Sequence, residues 1–472
     1  MNTVTAPVRV RSLATSTARR LLPLEPLGYE AHRAIYGDLS YLDGQQVVVA
    51  AELSGLCGQG GAAFPAHRKM TAVREAARRA GRRAVVIANG SEGEPASAKD
   101  KALLWHAPHL VLDGIALAAA AVGADRAFLA VESGHGLGRY LTEMSRQRPA
   151  SAVPVPVTVV EVPRRFLSGQ ESALVSFLDG GAALPRYQAR PVFERGVGGG
   201  PTLVQNVETL AHLALIARHG PGWYRSGTAT ALFTVRRADG GATVVEAMAG
   251  TPLGVLVGGG AGAATGQALL VGGYHGTWLP LTATAAGTGT ATATATGTAT
   301  ATSTGTGTGT GTGTLSGVEH RATAVTPDTG ISAATLGVSL GAGLLAVLPH
   351  DRCGLIETAS VLRYLALESA GQCGPCLNGL PRMAAAFNEL AHPTPRSDLR
   401  RLRDDLSRWA GLITGRGACR HPDGSARLAR SALIAFAAEI DDHDRGRCRA
   451  PGRPPMLPTG PAGPAAPIEQ GG

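Results

Sequence analysis

The chain has 472 residues, is 44% hydrophobic but only 4% aromatic, and sets 44 Lys and Arg against 35 Asp and Glu for a net charge of +9. That length divides into about two to four domains, and no run of about 18 apolar residues is present to insert directly into a membrane. The excess Arg is scattered without interleaved aromatics, which excludes a nucleic-acid stripe, and six Cys over so long a chain form no disulfide framework, so a reducing cytoplasmic setting is expected.

Residues 1–45 read as an N-terminal arm, because Ala-Pro, Leu-Pro and Glu-Pro-Leu-Gly interrupt any regular element. The start is rich in Arg, Ser and Thr but lacks an apolar core, so it is not a secretory signal. From about residue 46 to 225, strand-like runs at 83–88, 126–131 and 155–162 alternate with helical stretches at 109–122, 136–146 and 171–178. This alternation predicts an α/β unit with a parallel, Rossmann-like sheet, whose ligands sit beyond the carboxyl ends of the strands.

Residues 226–345 change to short strand-like runs at 231–236, 242–246 and 267–273, as in a small β domain. They are interrupted at 282–314 by an Ala/Gly/Thr alternation that has too little apolar area to offset the entropy of ordering. Residues 346–445 read as a helical bundle. Ser397-Asp-Leu starts a helix whose Leu399, Leu402, Leu406, Trp409 and Ile413 recur at three- and four-residue spacing, with 357–370 and 426–440 as its partners. The Pro/Gly-rich tail 446–472 is expected to be disordered.

Chemistry concentrates in loops. The stretch 53–65 (LSGLCGQGGAAFP) is glycine-rich and is followed by Lys69, a pattern that lets backbone N–H groups and a cation approach a phosphate. Directly after the first buried strand, 89–100 (NGSEGEPASAKD) places Asn89, Glu92 and Glu94 where a polar cofactor ring fits. A glycine and an acid again open a helix at Gly169 and Glu171, and 201–209 adds Asn206. Near the C-terminus, Cys373 and Cys376 form a Cys-x-x-Cys pair, and Cys419 lies 43 residues beyond Cys376. Two thiolates at i and i+3, with a third returned by a helical hairpin, make a soft-metal geometry one ligand short of four.

Taken in order, the motifs at 55–65, 89–100, 169–174, 201–209 and 368–376 resemble the NADH-binding flavoprotein (F) subunit of respiratory complex I and its relatives in NAD-linked hydrogenases and formate dehydrogenases. The resemblance covers about residues 50–440. It implies a Rossmann-like FMN-binding domain, a small β-grasp (SLBB-type) domain and a helical iron–sulfur domain. It also implies FMN contacts at Gly58, Gly60, Gly61, Lys69, Asn89, Glu92, Gly169, Glu171 and Asn206. Glu94 matches a carboxylate that contacts the nicotinamide nucleotide, and Phe64 an aromatic near its adenine. The implied activity is hydride transfer from NADH to FMN. Single electrons then pass to an iron–sulfur cluster and on to a quinone-linked or ferredoxin-like acceptor, by way of a ferredoxin-like or thioredoxin-fold partner subunit. Such a protein sits in the cytoplasm, free or peripheral to a membrane complex.

The chain departs from that pattern at Cys57, Gln59, Ala63, Ser91, Gln170, Gln188 and Pro191, changes that touch dinucleotide binding more than flavin binding. The family also uses a cysteine where this chain has Ala370. Cys373, Cys376 and Cys419 then hold a [4Fe–4S] cluster with a substitute ligand, a three-iron form, a Cys₃His zinc site completed by His421, or nothing. A non-catalytic, accessory paralogue is the alternative function. Cys57, Cys353 and Cys448 read as buried or incidental thiols.

Overall fold

The computed structural model describes residues 9–13, 21–39, 42–134, 136–149, 155–187, 190–228, 230–237, 240–258, 266–282 and 324–460. Gln188 and all but the first residue of the Ala/Gly/Thr stretch 282–314 therefore lie outside the described residues.

Among the described residues, ten strands form two sheets. Arg9–Ser12 (β1) belongs to the second sheet. The first consists of Ala84–Gly90 (β2), Ala124–Glu132 (β3), Val157–Val162 (β4) and Thr202–Asn206 (β5), all parallel, in the order β4-β3-β2-β5. The chain winds outward from β2 to β4 and then crosses back to lay β5 on the other flank of β2. The switch point of this α/β sheet therefore lies between β2 and β5, the position where such sheets bind ligands. Along β2 the side chains alternate by two: Ala84, Val86 and Ala88 enter one apolar core, and Val85 and Ile87 the other.

Helix Pro108–Val122, nearly all Ala, Leu, Val and Ile, covers one face and crosses helix Val207–His219. The crossing is close enough that a Cβ on Gly114 would stand 2.1 Å from the Leu210 carbonyl oxygen, so only glycine fits there. Helix Glu171–Leu178 covers the opposite face through Leu174 and Val175.

The second sheet contains Thr230–Arg236 (β6), Ala242–Met248 (β7), Ala268–Val271 (β8), Thr277–Pro280 (β9) and Leu344–Leu348 (β10) in the order β1-β7-β6-β10-β8-β9. One of its faces closes over Phe233, Val245, Leu253 and Leu345. The other face packs through Leu270, Trp278, Leu344 and Leu348 onto helices Gly354–Leu367, Leu380–Ala391, Leu399–Ile413 and His421–Ala435. Among the described residues, no single helix is long and apolar enough to cross a membrane.

The described residues at both ends of the chain differ from expectation. In the arm, β1 pairs with β7, and the buried Leu21 and Leu22 donate backbone N–H bonds of 2.7 and 3.1 Å to the carboxylate of Glu246. Helix Tyr29–Tyr36 follows, pinned by His32 to the buried Asp113 at 2.9 Å. Residues 446–460 of the tail pack onto the fold, and residues 461–472 lie outside the described residues. Met456 and Leu457 donate to Glu357 at 2.8 and 3.2 Å, Leu457 is buried, and the Tyr274 hydroxyl donates to the Pro458 carbonyl at 2.6 Å. In each case a buried carboxylate far away in the sequence satisfies backbone donors that local composition leaves unpaired.

Candidate functional site

The loop 57–65 begins where Gly55, at φ +70°, ends helix Gly44–Ser54, and it closes on itself through an isolated bridge between Cys57 and Pro65 and a 2.9 Å bond from Gly58 N to Phe64 O. Gly61 takes φ +107°, and Ala63 takes φ +48° without being glycine. The loop lies against the switch point: a Cβ on Gly60 would stand 3.3 Å from Asn206 Cβ, and Gln59 N donates to Thr209 Oγ1 at 2.9 Å.

Asn89 and Asn206 are register partners at the carboxyl ends of β2 and β5. Asn89 donates to the Gly169 carbonyl at 2.8 Å, drawing in the loop that follows β4. Asn206 caps helix Val207–His219 through Glu208 N at 2.9 Å and donates to Asp100 at 2.7 Å. A Cβ on Gly169 would stand 2.8 Å from the Ser91 carbonyl oxygen and 3.5 Å from Ser91 Oγ, a buried hydroxyl with no hydrogen-bond partner. Lys69 and Glu171 form a half-buried ion pair across this edge, and Phe64 is exposed at its rim. Gly169, which has no room for a side chain, the tightly packed Gly60 and the unpartnered Ser91 hydroxyl line one edge of the switch point.

Behind this edge lies a buried charge network. Glu92 accepts from Ser97 Oγ at 2.5 Å, Asp100 N at 3.3 Å and Lys101 N at 3.2 Å, so its carboxylate caps helix Lys99–His106. Lys99 bonds Asp100 at 2.7 Å and Glu208 at 2.8 Å. Burial pushes Asp100 up to about 6 against the pull of Lys99, with Glu92 and Glu208 adding to the rise. Burial also acts on Glu208, but Lys99 and His212 hold it down to about 2.

Glu94 points toward the second sheet. Its Oε1 accepts from Tyr274 N at 3.0 Å, and a Cβ on Gly273 would stand 2.3 Å from its other oxygen. Burial raises it to about 8, the Tyr274 bond opposing and Glu92 assisting, so it carries a proton at neutral pH.

The three thiols converge. Cys376 is buried and is pushed up to about 12 by burial, by its hydrogen bond and charge interaction with Cys373, and by Cys419. Cys419 is raised by burial and also by Cys373. A cation among them would favour all three thiolates together. At the sequence position where the resemblance expects a fourth cysteine the chain has Ala370, whose methyl carries no donor atom. His421, the candidate substitute, is committed elsewhere: Nε2 lies 2.8 Å from the Leu365 carbonyl and Nδ1 lies 3.0 Å from His275 Nε2. The carbonyl can only accept, so Nε2 donates to it. Burial holds His421 neutral, down to about 4, and Nδ1 accepts from His275. Both ring nitrogens of His421 are engaged within the protein, so a Cys₃His site would require one of these two bonds to break.

The comparisons with known proteins point to the same two regions. The Nuo51 FMN-binding domain model matches residues 51–215, and the NADH-ubiquinone oxidoreductase-F iron-sulfur binding region matches residues 357–443. Both regions resemble those of NADH-binding flavoprotein F subunits. The chain is 24% identical to the F 2 subunit of the NADH-quinone oxidoreductase of Rhizobium meliloti (strain 1021), over 94% of this chain and 99% of that one. It is 27% identical to the F subunit of the NADH-quinone oxidoreductase of Streptomyces coelicolor, over 84% and 82%. Among solved structures it resembles an NAD+-reducing [NiFe]-hydrogenase in the air-oxidised state, with TM-score 0.65 and 25% identity. That match covers 84% of this chain but only 62% of the hydrogenase chain, so the chain spans less than two thirds of that relative.

The two regions are joined by residues to which the motifs assign no such role, among them Glu368, which opens the motif at 368–376. Glu368, buried ahead of Cys373, accepts from Phe166 N at 2.9 Å and from Arg165 Nε at 3.4 Å, both in the loop that carries Gly169. The Phe166 ring then contacts Tyr274, His275, Tyr364 and His421. The available signal was Glu368 itself, an acid in an otherwise small and polar turn. Two departures also acquire roles: Gln170 caps helix Glu171–Leu178 through Ala173 N at 3.0 Å, and Gln59 bonds back to the Cys57 carbonyl at 3.1 Å.

Proposed function

We propose that this chain is an NADH dehydrogenase flavoprotein of the diaphorase type, moving electrons from NADH through FMN to an iron–sulfur cluster and then to a partner subunit of ferredoxin-like or thioredoxin fold. The observation that carries this reading is the tie made by Glu368, which fastens the loop at the switch-point edge to the turn that presents the thiols. Bound FMN supplies the chemistry that joins the two halves, accepting a hydride and releasing electrons one at a time.

The residues of the chain bind and orient. The glycines of the loop 58–61 and Gly169 admit the flavin, Asn89 and Asn206 fix the floor beneath it, and Lys69 supplies countercharge to the phosphate, with Glu171 holding its ammonium in place. Glu92 acts through the helix that it caps. Phe64 offers an exposed face for the adenine of NADH, and Glu94 presents a neutral carboxyl near the nicotinamide side. Cys373, Cys376 and Cys419 hold the cluster at three corners, and the acceptor beyond it is quinone-linked or ferredoxin-like. The chain works in the cytoplasm or at the periphery of a membrane complex.

Anaerobic titration with NADH tests the reading. Protein purified yellow-brown should lose its flavin absorbance on adding NADH and should reduce ferricyanide. A flavin-loaded protein whose absorbance is unchanged by NADH would overturn it.

A further inference from the structure

Two of the cysteines read above as incidental are neighbours in space. Cys353, buried, stands at the start of helix Gly354–Leu367, and Cys448 lies in the tail beyond helix Ala437–Asp444, which contributes His443. The two sulfurs and one ring nitrogen of His443 lie within 4.8 Å of one another. Among the described residues this is the one group of three such ligand atoms drawn so close, and Cys373, Cys376 and Cys419 do not form another. A tetrahedral zinc ion, with bonds of about 2.3 Å to sulfur and about 2.0 Å to nitrogen, holds its ligand atoms roughly 3.5–4 Å apart. His443 Nε2 is 3.5 Å from Cys353 Sγ.

The surroundings are those of a ligand set. His443 Nδ1 lies 3.0 Å from the Leu390 carbonyl, which only accepts, so Nδ1 carries the proton and Nε2 turns its lone pair toward the sulfur. Glu439, 4% exposed, uses Oε2 to accept from Gly354 N at 2.8 Å, 3.3 Å from Cys353 Sγ, while its Oε1 is buried with no hydrogen-bond partner. Glu439 thus sets a buried carboxylate, one of its oxygens unpaired, against Cys353, a charge environment that favours a bound cation.

We propose that Cys353, His443 and Cys448 bind one zinc(II) ion, separate from the iron–sulfur thiols, with a water molecule in the fourth position. Zinc displaces one proton from each thiol to solvent and undergoes no redox change. It staples the tail onto the bundle, joining the start of helix Gly354–Leu367 to the end of helix Ala437–Asp444.

The test is metal analysis of the full-length protein carrying its flavin and iron. Zinc is expected equimolar with the chain. The thiol variant Cys448→Ser and the imidazole variant His443→Gln should each lose it while flavin and iron contents stay unchanged, and Cys376→Ser should lose iron and keep zinc. Cobalt(II) exchanged for zinc should show thiolate charge-transfer and tetrahedral ligand-field bands that vanish in Cys448→Ser. The proposal is overturned if wild-type protein equilibrated with zinc sulfate and dialysed retains none. Zinc that survives Cys448→Ser, or a Cys353–Cys448 disulfide in protein isolated under reductant, would overturn it equally.

Discussion

Replacing Glu94 by Gln should make the protein more stable, and increasingly so as the pH rises. Glu94 is buried against Tyr274 N and Gly273, and its carboxyl is moved from an ordinary 4.5 up to about 8 by that burial. Between those two values the folded chain holds a proton that the unfolded chain releases. The stability contributed by the protonated group is therefore complete below about pH 4.5 and lost as pH rises toward 8. Each pH unit in that window is worth about 1.4 kcal/mol, so the range from pH 5.5 to 8 removes about 3 kcal/mol from the wild type. Glutamine keeps the acceptor for Tyr274 N and does not ionise. Urea unfolding midpoints of the wild type and Glu94→Gln should therefore converge near pH 5 and separate steadily to pH 8. Parallel pH profiles would refute the reasoning, because they would mean that Glu94 is charged in the folded protein and stabilised by a partner.

Ala63→Gly should raise the thermal midpoint, since relieving a left-handed alanine at φ +48° is worth about 1 kcal/mol. Gly114→Ala should destabilise by about 3 kcal/mol in chemical unfolding, because its methyl would meet the Leu210 backbone at 2.1 Å and neither helix can yield. Ala370→Cys should raise the iron bound per chain and its resistance to oxygen, whereas His421→Ala should leave iron content unchanged, both read by iron analysis of anaerobic preparations. Glu368→Ala strands the Phe166 N–H and the Arg165 guanidinium, so a loss of about 2 kcal/mol is expected by calorimetry.

The parallel sheet was legible because β2 to β4 are short apolar runs bounded by glycine-rich or acidic loops, whereas β5, at Thr202–Asn206, lies in a stretch read as a loop. Helix Leu399–Ile413 followed from its apolar spacing. Its cap is Asp398, which accepts from Arg401 N, while neighbouring Ser397 donates to Glu389. Two adjacent capping residues cannot be ranked without the fold. The packed ends were not legible, since Leu21 and Leu22 are held by a carboxylate more than 220 residues away and Met456 by one 99 residues away. Local composition carries no trace of such partners. The same distance hid Cys448 from Cys353, and the two bonds of His421 could not be inferred from its place beside Cys419.

The Glu368 tie also means that the two cofactor regions share one mechanical coordinate. The loop it grips holds Gly169 against Asn89, so displacing that loop pulls directly on the turn that spaces Cys373 and Cys376. Occupancy at either place then biases the geometry of the other, and by linkage the factor by which flavin tightens cluster retention equals the factor by which the cluster tightens flavin. A chain with a donor missing at one corner gains most from such reciprocity, because its weaker cofactor is held partly by its stronger one.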